Sequence, residues 1–206
     1  MIGACSFLRR RPGDSLAHFE THWRDVHGPL AADLPGVARY LQGHIVRDGA
    51  ATSRRALDLG IDGFAQQWFA SETDRQACYD SGQEAVCDVD SLLFIGATAR
   101  IVTDVRIRVP IAGRPEGRRI LLYLEGDTPP AEADVASLSQ TAGLAGLIEH
   151  RVVKQGAIPT TARDQVSIAP AAMIELYFSS VDAAAAPDTA RFPLAHDFLC
   201  RNIHLI

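Results

Sequence analysis

GVARYLQGHIV, residues 36 to 46, returns in outline as GLAGLIEHRVV, residues 143 to 153. Both stretches open on glycine and run into alternating apolar positions, the pattern of a strand with one buried face. A second match keeps the order: Phe69-Ala-Ser71 returns as Phe178-Ser-Ser180, with Tyr177 in the place of Trp68. Matches that recur in order and at nearly one spacing mark an internal repeat.

Outward from the first copy, Ile2 to Leu8 reads as a strand and Pro12-Gly13 as a turn. Asp14 or Ser15 can cap a helix from about Leu16 to His27, which Gly28-Pro29 is expected to stop. Val37 to Val46 and Ile61 to Phe69 read as strands around a polar loop, Arg47 to Gly60. Ser71-Glu-Thr-Asp74 has a capping-box pattern that starts a second helical region, and Arg100 to Val109 is a fourth strand rich in β-branched residues. The order βαββαβ is the ferredoxin-like plan. PIAGRPEG, residues 110–117, reads as a linker, after which Ile120 to Glu125 is a strand and Thr128-Pro129-Pro130 opens a helix. The expected organisation is therefore an α+β unit over residues 1–109, a linker over 110–117 and a second ferredoxin-like repeat over 118–206. The last strand of that repeat is expected to be short, near Asn202 to Ile206. One such unit leaves a sheet face uncovered. Two packed face to face close an intrachain α/β barrel with room for a ligand cavity between the sheets.

A chain of 206 residues can bury a real core, and its 47% hydrophobic and 22% charged content is ordinary for a globular protein. The net charge of −5 argues against a nucleic-acid partner. Arg9, Arg10 and Arg11 are too few to reverse that, and read as a strand running into solvent. No apolar run approaches a membrane span, and the start MIGACSFLRRR has its charges in the wrong order for a secretory signal. The four scattered cysteines have no CxxC spacing, so they are expected to be reduced thiols in a cytoplasmic protein.

HFETHWRDVHGPL, residues 18 to 30, holds three histidines and a tryptophan. At about 100° per residue, Leu16, Phe19, Trp23 and Val26 form the buried stripe of the first helix, with His22 and His27 at its two edges and His18 toward solvent. A part-desolvated imidazole titrates near neutral pH, as a general acid or base must. The plain reading is a set of partly buried histidines bonded to backbone, with His27 capping the helix end and Trp23 as core. His18 and His22 share a face as zinc ligands do, but nothing supplies the remaining ligands, so no metal is expected. On the second strand Tyr40, Gln42 and His44 share one face. Such a row faces solvent or the barrel interior, and the pattern leans to solvent. Asp88 and Asp90 can orient an imidazole or cap a helix, and capping is the commoner use. No glycine-rich phosphate loop and no GxSxG elbow is present.

Taken in order, His22-Trp23, His27-Gly-Pro-Leu30, Pro35-Gly36, Arg39-Tyr40, His44, Asp62-Gly63-Phe64 and Trp68-Phe69 resemble the EthD family of the dimeric α/β barrel superfamily. The resemblance covers about residues 1 to 109 and implies the ferredoxin-like fold. It implies site roles for His22, His27, Tyr40 and His44. Characterised members are cofactor-free enzymes: a methylmuconolactone isomerase, and fungal dehydratases or decarboxylases of aromatic polyketides. Typical members are single domains that dimerise, so this chain departs in carrying a second copy without the motif, where His150 stands near the place of His44. The expectation is one site per chain, without cofactor, acting on a small hydrophobic or aromatic carbonyl compound or lactone. His27 is its main acid/base group, with His22 and Tyr40 on the substrate oxygen, His44 assisting, and Trp23, Gln42 and Trp68 in contact with substrate. A homodimer remains open. The alternatives are a non-catalytic small-molecule binding protein and, third, a haem protein with a histidine ligand.

Overall fold

The computed structural model describes residues 1–48, 51–155, 164–166, 168–184, 192 and 194–206; residues 49 and 50 of the expected polar loop lie outside it. The fold is α+β. Strands β1 (Ile2–Arg10), β2 (Arg39–Ile45), β3 (Gly63–Phe69) and β4 (Ile95–Val109) come first. After Pro110 to Glu116 follow β5 (Gly117–Leu124), β6 (Leu144–Gln155), the two-residue β7 (Asp164–Gln165), β8 (Pro170–Phe178) and β9 (His196–His204). Eight of them run β1-β3-β2-β9-β5-β8-β6-β4, and β4 also pairs with β1, so the sheet closes on itself. Every pairing in the ring is antiparallel, while β7 adds a short parallel pairing to the start of β4. A closed barrel leaves no open sheet edge.

Strand alternation divides the side chains between inside and outside. Phe7, Phe64, Ile101, Ile120, Met173 and Phe198 are buried together inside the ring. A polar layer lies beyond them, with Gln66, Arg118, His150 and Glu175 all buried and hydrogen-bonded to one another. The expected cavity between the sheets is thus filled by side chains, as in other small barrels.

The helices lie outside. α1 (Leu16–His22) is capped by Ser15, whose hydroxyl accepts from the His18 N–H. A π-helical turn, Trp23–His27, runs straight into α2 (Gly28–Ala32). Gly28-Pro29 therefore does not stop the helix. The Gly28 N–H bonds the carbonyl of Trp23, five residues back, and this wider turn makes room for a proline that would clash in an α-helix. The short α3 (Arg54–Leu57) breaks the polar loop. α4 (Glu72–Tyr79) is capped by Ser71 as its pattern predicts, and α5 (Gly82–Ser91) by Ser81. α6 (Glu132–Ser137) starts after Ala131, later than the Thr128-Pro129-Pro130 expectation, with no side-chain cap. α7 is Val181–Ala184. The last strand, β9, is nine residues long rather than short. Arg10 does not run free into solvent, because its guanidinium pairs with the buried Asp62, which Arg47 also bonds.

Candidate functional site

The π turn sets the side chains of the histidine-rich stretch. In an α-helix, residues five apart sit about 140° apart. One turn closed by i→i+5 bonds takes about one residue more, which brings His27 round beside His22. Both reach the same carboxylate: His22 Nε2 lies 3.1 Å from Asp90 Oδ1 and His27 Nδ1 lies 2.9 Å from Asp90 Oδ2. The expected helical wheel placed them on opposite edges of the stripe, with Val26 buried. Instead Val26 is exposed and His27 is buried. His18 stays on the outer face, with Nδ1 3.6 Å from Asp14.

Asp90 comes from the last turn of α5. An ionised carboxylate only accepts, so both imidazoles donate to it: His22 through Nε2–H and His27 through Nδ1–H. The acceptor nitrogen of His27 is then Nε2. Phe94 completes the group, its ring centroid 4.9 Å from that of His22 and 5.1 Å from that of His27.

Tyr40, Gln42 and His44 face neither solvent nor the barrel interior. They lie on the outer face of β2 beneath the helices, and all three are buried. Gln42 Nε2 donates to the Trp23 carbonyl at 2.7 Å and to the Tyr40 hydroxyl at 3.3 Å, and Gln42 Oε1 lies 3.1 Å from His44 Nε2. The carbonyl that closes the π turn is therefore also tied to the sheet. The Trp23 indole is fully buried, stacks on the His44 ring at 4.7 Å and covers Gly63, where a Cβ would overlap it. Burial, with Arg24 and Arg201 nearby, pulls the His44 imidazole down to about 4, so at neutral pH it is an uncharged hydrogen-bonding group. Burial pushes the Tyr40 phenol up to about 12, partly offset by Gln42, and it keeps its proton. Trp68 does not join this group. It points into the barrel with Leu41, Val105, Ile148 and Tyr177, and Arg39 lies over both the Trp68 and Tyr177 rings.

Trp23, His27 and Tyr40 line a cavity of about 50 Å³ between helices and sheet, together with Ser6, Glu84, Asp88, Ser91 and Arg100. Leu8, Leu34 and Ile95 also line it, so its walls mix polar and apolar groups, and it is well below the several hundred Å³ of a typical small-molecule pocket. Arg100 lies along it, donating through Nε to Ser6 Oγ at 3.1 Å, with its guanidinium 4.6 Å over Tyr79 and 3.7 Å from Glu84. Next in sequence to His27, Asp90 and Phe94 come Val26, Val89 and Leu93, which are 47%, 65% and 54% exposed. The site thus offers an oriented imidazole, a protonated phenol and a fixed cation on one small cavity.

Arg100 is the residue that the sequence reading passed over, and for Asp90 that reading leaned to capping where the structure has it holding two imidazoles. A carboxylate in the last turn of a helix opposes the helix dipole, which signals a use other than capping. Arg100 stands alone as a charge in the otherwise uncharged run Ala97-Thr-Ala-Arg-Ile-Val-Thr103.

Residues 11–96 match the family model described as EthD domain, a span that contains His22, His27, Tyr40, His44 and Asp90. This segment is an EthD domain. No curated protein matches the chain significantly. Among solved structures, a protein of Fusobacterium nucleatum provisionally described as a monooxygenase aligns over 100% of this chain and 92% of its own, with TM-score 0.58 and 7% identity. An anthrone oxidase-like protein aligns over 99% and 93%, with TM-score 0.57 and 10% identity. A similarly described protein of Lactobacillus acidophilus aligns over 100% and 94%, with TM-score 0.51 and 9% identity. At such identities the likeness is one of fold. It extends over the whole chain, past the end of the EthD domain.

Proposed function

We propose that the EthD domain carries a cofactor-independent acid/base site acting on a small hydrophobic or aromatic carbonyl compound or lactone, as a lyase or isomerase. The observation that carries this reading is the single carboxylate, Asp90, bonded by His22 and by His27, the one of the three that lines the cavity. With Nδ1–H committed to Asp90, His27 Nε2 takes a proton from the carbon next to the substrate carbonyl. The C–H electron pair forms a C=C bond to the carbonyl carbon, the C=O π pair moves onto the oxygen, and the substrate becomes an enolate with its charge on that oxygen. Tyr40 and Arg100, which line the same cavity, supply a hydrogen bond and a positive charge for that oxygen. His27 then returns the proton to another carbon, or to a leaving group. Asp90 stabilises the imidazolium in between, and His22 positions Asp90. His44, uncharged and bonded to Gln42, supports the site without exchanging protons. The small cavity suits the reacting oxygen and its neighbouring carbon, while the exposed Val26, Val89 and Leu93 suit the apolar body of the substrate.

Around this site we read the chain as a fused tandem of two ferredoxin-like units, residues 1–109 and 118–206, joined by 110–117, the second having lost the histidine motif. The matched strand order of the two arcs supports this. We place the protein in the reducing cytoplasm, a reading that rests on four free, buried cysteines. Among the described residues no helix is long and apolar enough to cross a membrane.

The test is proton exchange in D2O across a panel of lactones and aromatic keto acids, followed by NMR. Wild type is expected to exchange at least one of them, and His27→Gln to slow that exchange by about 10²-fold or more. Equal rates in the two proteins would remove His27 from the chemistry. Binding without exchange by either would favour the alternative, a non-catalytic small-molecule binding protein.

A further inference from the structure

The paired strands of the two arcs match position for position. Gly3 stands opposite Trp68 on β1 and β3, as Arg118 stands opposite Tyr177 on β5 and β8. Gly43 stands opposite Phe64 and Leu41 opposite Gln66, as His150 stands opposite Met173 and Ile148 opposite Glu175. Three equivalent inward positions therefore hold Gly3, Gly43 and Gln66 in the first arc, and Arg118, His150 and Glu175 in the second. Both glycine places are filled, by Arg118 and His150, and the one carboxylate is held, in the second arc.

These residues meet crosswise. A Cβ on Gly43 would overlap Arg118 Nη2, and a Cβ on Gly3 would lie 2.7 Å from Thr103 Oγ1 and 3.5 Å from His150 Nδ1. Gly43 thus faces the bulky residue that occupies the place of Gly3 in the opposite arc; over Gly3 the nearest groups are Thr103 and Val105 of its own half, with His150 in ordinary contact beyond them. At the centre Arg118 Nη1 donates to Gln66 Oε1 at 2.6 Å and to Glu175 Oε1 at 2.8 Å, while Gln66 Nε2 donates to Glu175 Oε2 at 2.9 Å. His150 Nε2 and the Tyr177 hydroxyl also bond Glu175 Oε2, at 3.0 and 2.8 Å. Burial alone would push the Glu175 carboxyl up, but Arg118 and His150 outweigh it and hold it well below the usual range. Arg118 Nε and Nη2 have no hydrogen-bond partner among the described residues. A barrel selected for stability alone would not carry that cost.

We propose that the inner sheet faces carry a pairing code, in which each half of the chain accepts the other and rejects a copy of itself. Two first halves would face glycine with glycine at both crossings and leave holes. Two second halves would face Arg118 with His150 at both crossings; the charge on Glu175 does not discriminate, since Arg118, His150 and Tyr177 that pair with it lie in its own half. Both like pairings are penalised, one by holes and the other by overlap, and only the unlike one is filled without either, which is specificity by exclusion. The buried polar layer therefore serves recognition between halves and is not a second catalytic centre.

A protease site inserted between the exposed Gly113 and Arg114 allows the folded chain to be cut without altering either face. Cut protein is mixed with an isotope-labelled cut sample and followed by native mass spectrometry. The mixture is unfolded in denaturant and refolded by dilution so that the halves choose partners afresh, and only complexes of a first half with a second half are expected, with label scrambled between them. Like pairs, or halves that drift apart, would overturn the proposal. A double-mutant cycle in the uncut chain checks the crossing itself. Gly43→Ala should lower Tm by several degrees in wild type and hardly further in Arg118→Met; equal losses in both backgrounds would contradict the crosswise fit.

Discussion

Asp90 carries two imidazoles on one carboxylate, and its removal separates orientation from packing. In Asp90→Asn the side chain keeps its size but offers only one acceptor oxygen, so the two imidazoles can no longer both donate. Long-range 1H–15N spectra are expected to show His27 protonated on Nδ1 in wild type and a mixed or reversed tautomer in the variant. His44 makes a separate prediction in pH. Its folded value of about 4 lies below the ordinary 6.5, so in acid the unfolded chain takes up this proton first. Its contribution to stability is full above about pH 6.5 and is lost as pH falls towards 4, at up to ~1.4 kcal/mol for each unit of difference. The neighbouring Glu20, raised by burial, works the other way and partly offsets this. Thermal melts of wild type should therefore drop across that window, and those of His44→Gln should drop less.

At the scale of elements, the π turn is what converts a helix with histidines on two edges into a site. Its distinctive carbonyl, on Trp23, accepts from both Gly28 N–H and Gln42 Nε2. Gln42→Leu removes one donor and leaves His44 Nε2 without its buried partner, which should cost ~1–3 kcal/mol. The imidazole signals of His22 and His27 should shift with it, since the turn that aligns them loosens. Gly63 has a different task, because it is the floor under the Trp23 indole. Gly63→Ala should displace that ring, lower Tm and alter tryptophan fluorescence. The His-Gly-Pro-Leu and Asp-Gly-Phe motifs were legible as letters, while their reasons lie in packing between β2, β3 and the turn. Local rules read Gly28-Pro29 as a stop because, in isolation, that is what the pair does. Only the tertiary bond from Gln42 and the wider turn reverse the outcome.

Across the whole molecule, the periodicities of residues 36–46 and 143–153 contain the barrel, since each defines a strand with one face to bury. The strand order and the closure follow from covering those faces. What periodicity does not contain is which side of the sheet holds the candidate site. Tyr40, Gln42 and His44 alternate with Leu41 and Gly43, and the pattern alone assigns neither set to the helices. Register settles it: His150 stands where Gly43 does, one place off His44, and that single step turns its side chain into the barrel. Trp68 is hidden for the same reason, lying on the inner face while the candidate site lies on the outer one. The size of the cavity was equally hidden, because it depends on how closely the helices seat on Ser6, Tyr40 and Arg100.

The central claim is that His22 and His27 are kept for proton chemistry and are not needed for folding. Thermal unfolding of wild type, His22→Gln and His27→Gln at pH 7 tests it without knowledge of the substrate. In each variant Asp90 keeps the other histidine as partner, and glutamine can still donate to it. Both variants are therefore expected to stay within ~0.5 kcal/mol of wild type, about 1–2 °C for a domain of this size. A loss of ~2 kcal/mol or more in His27→Gln would make it a structural histidine of the core, and would contradict the account.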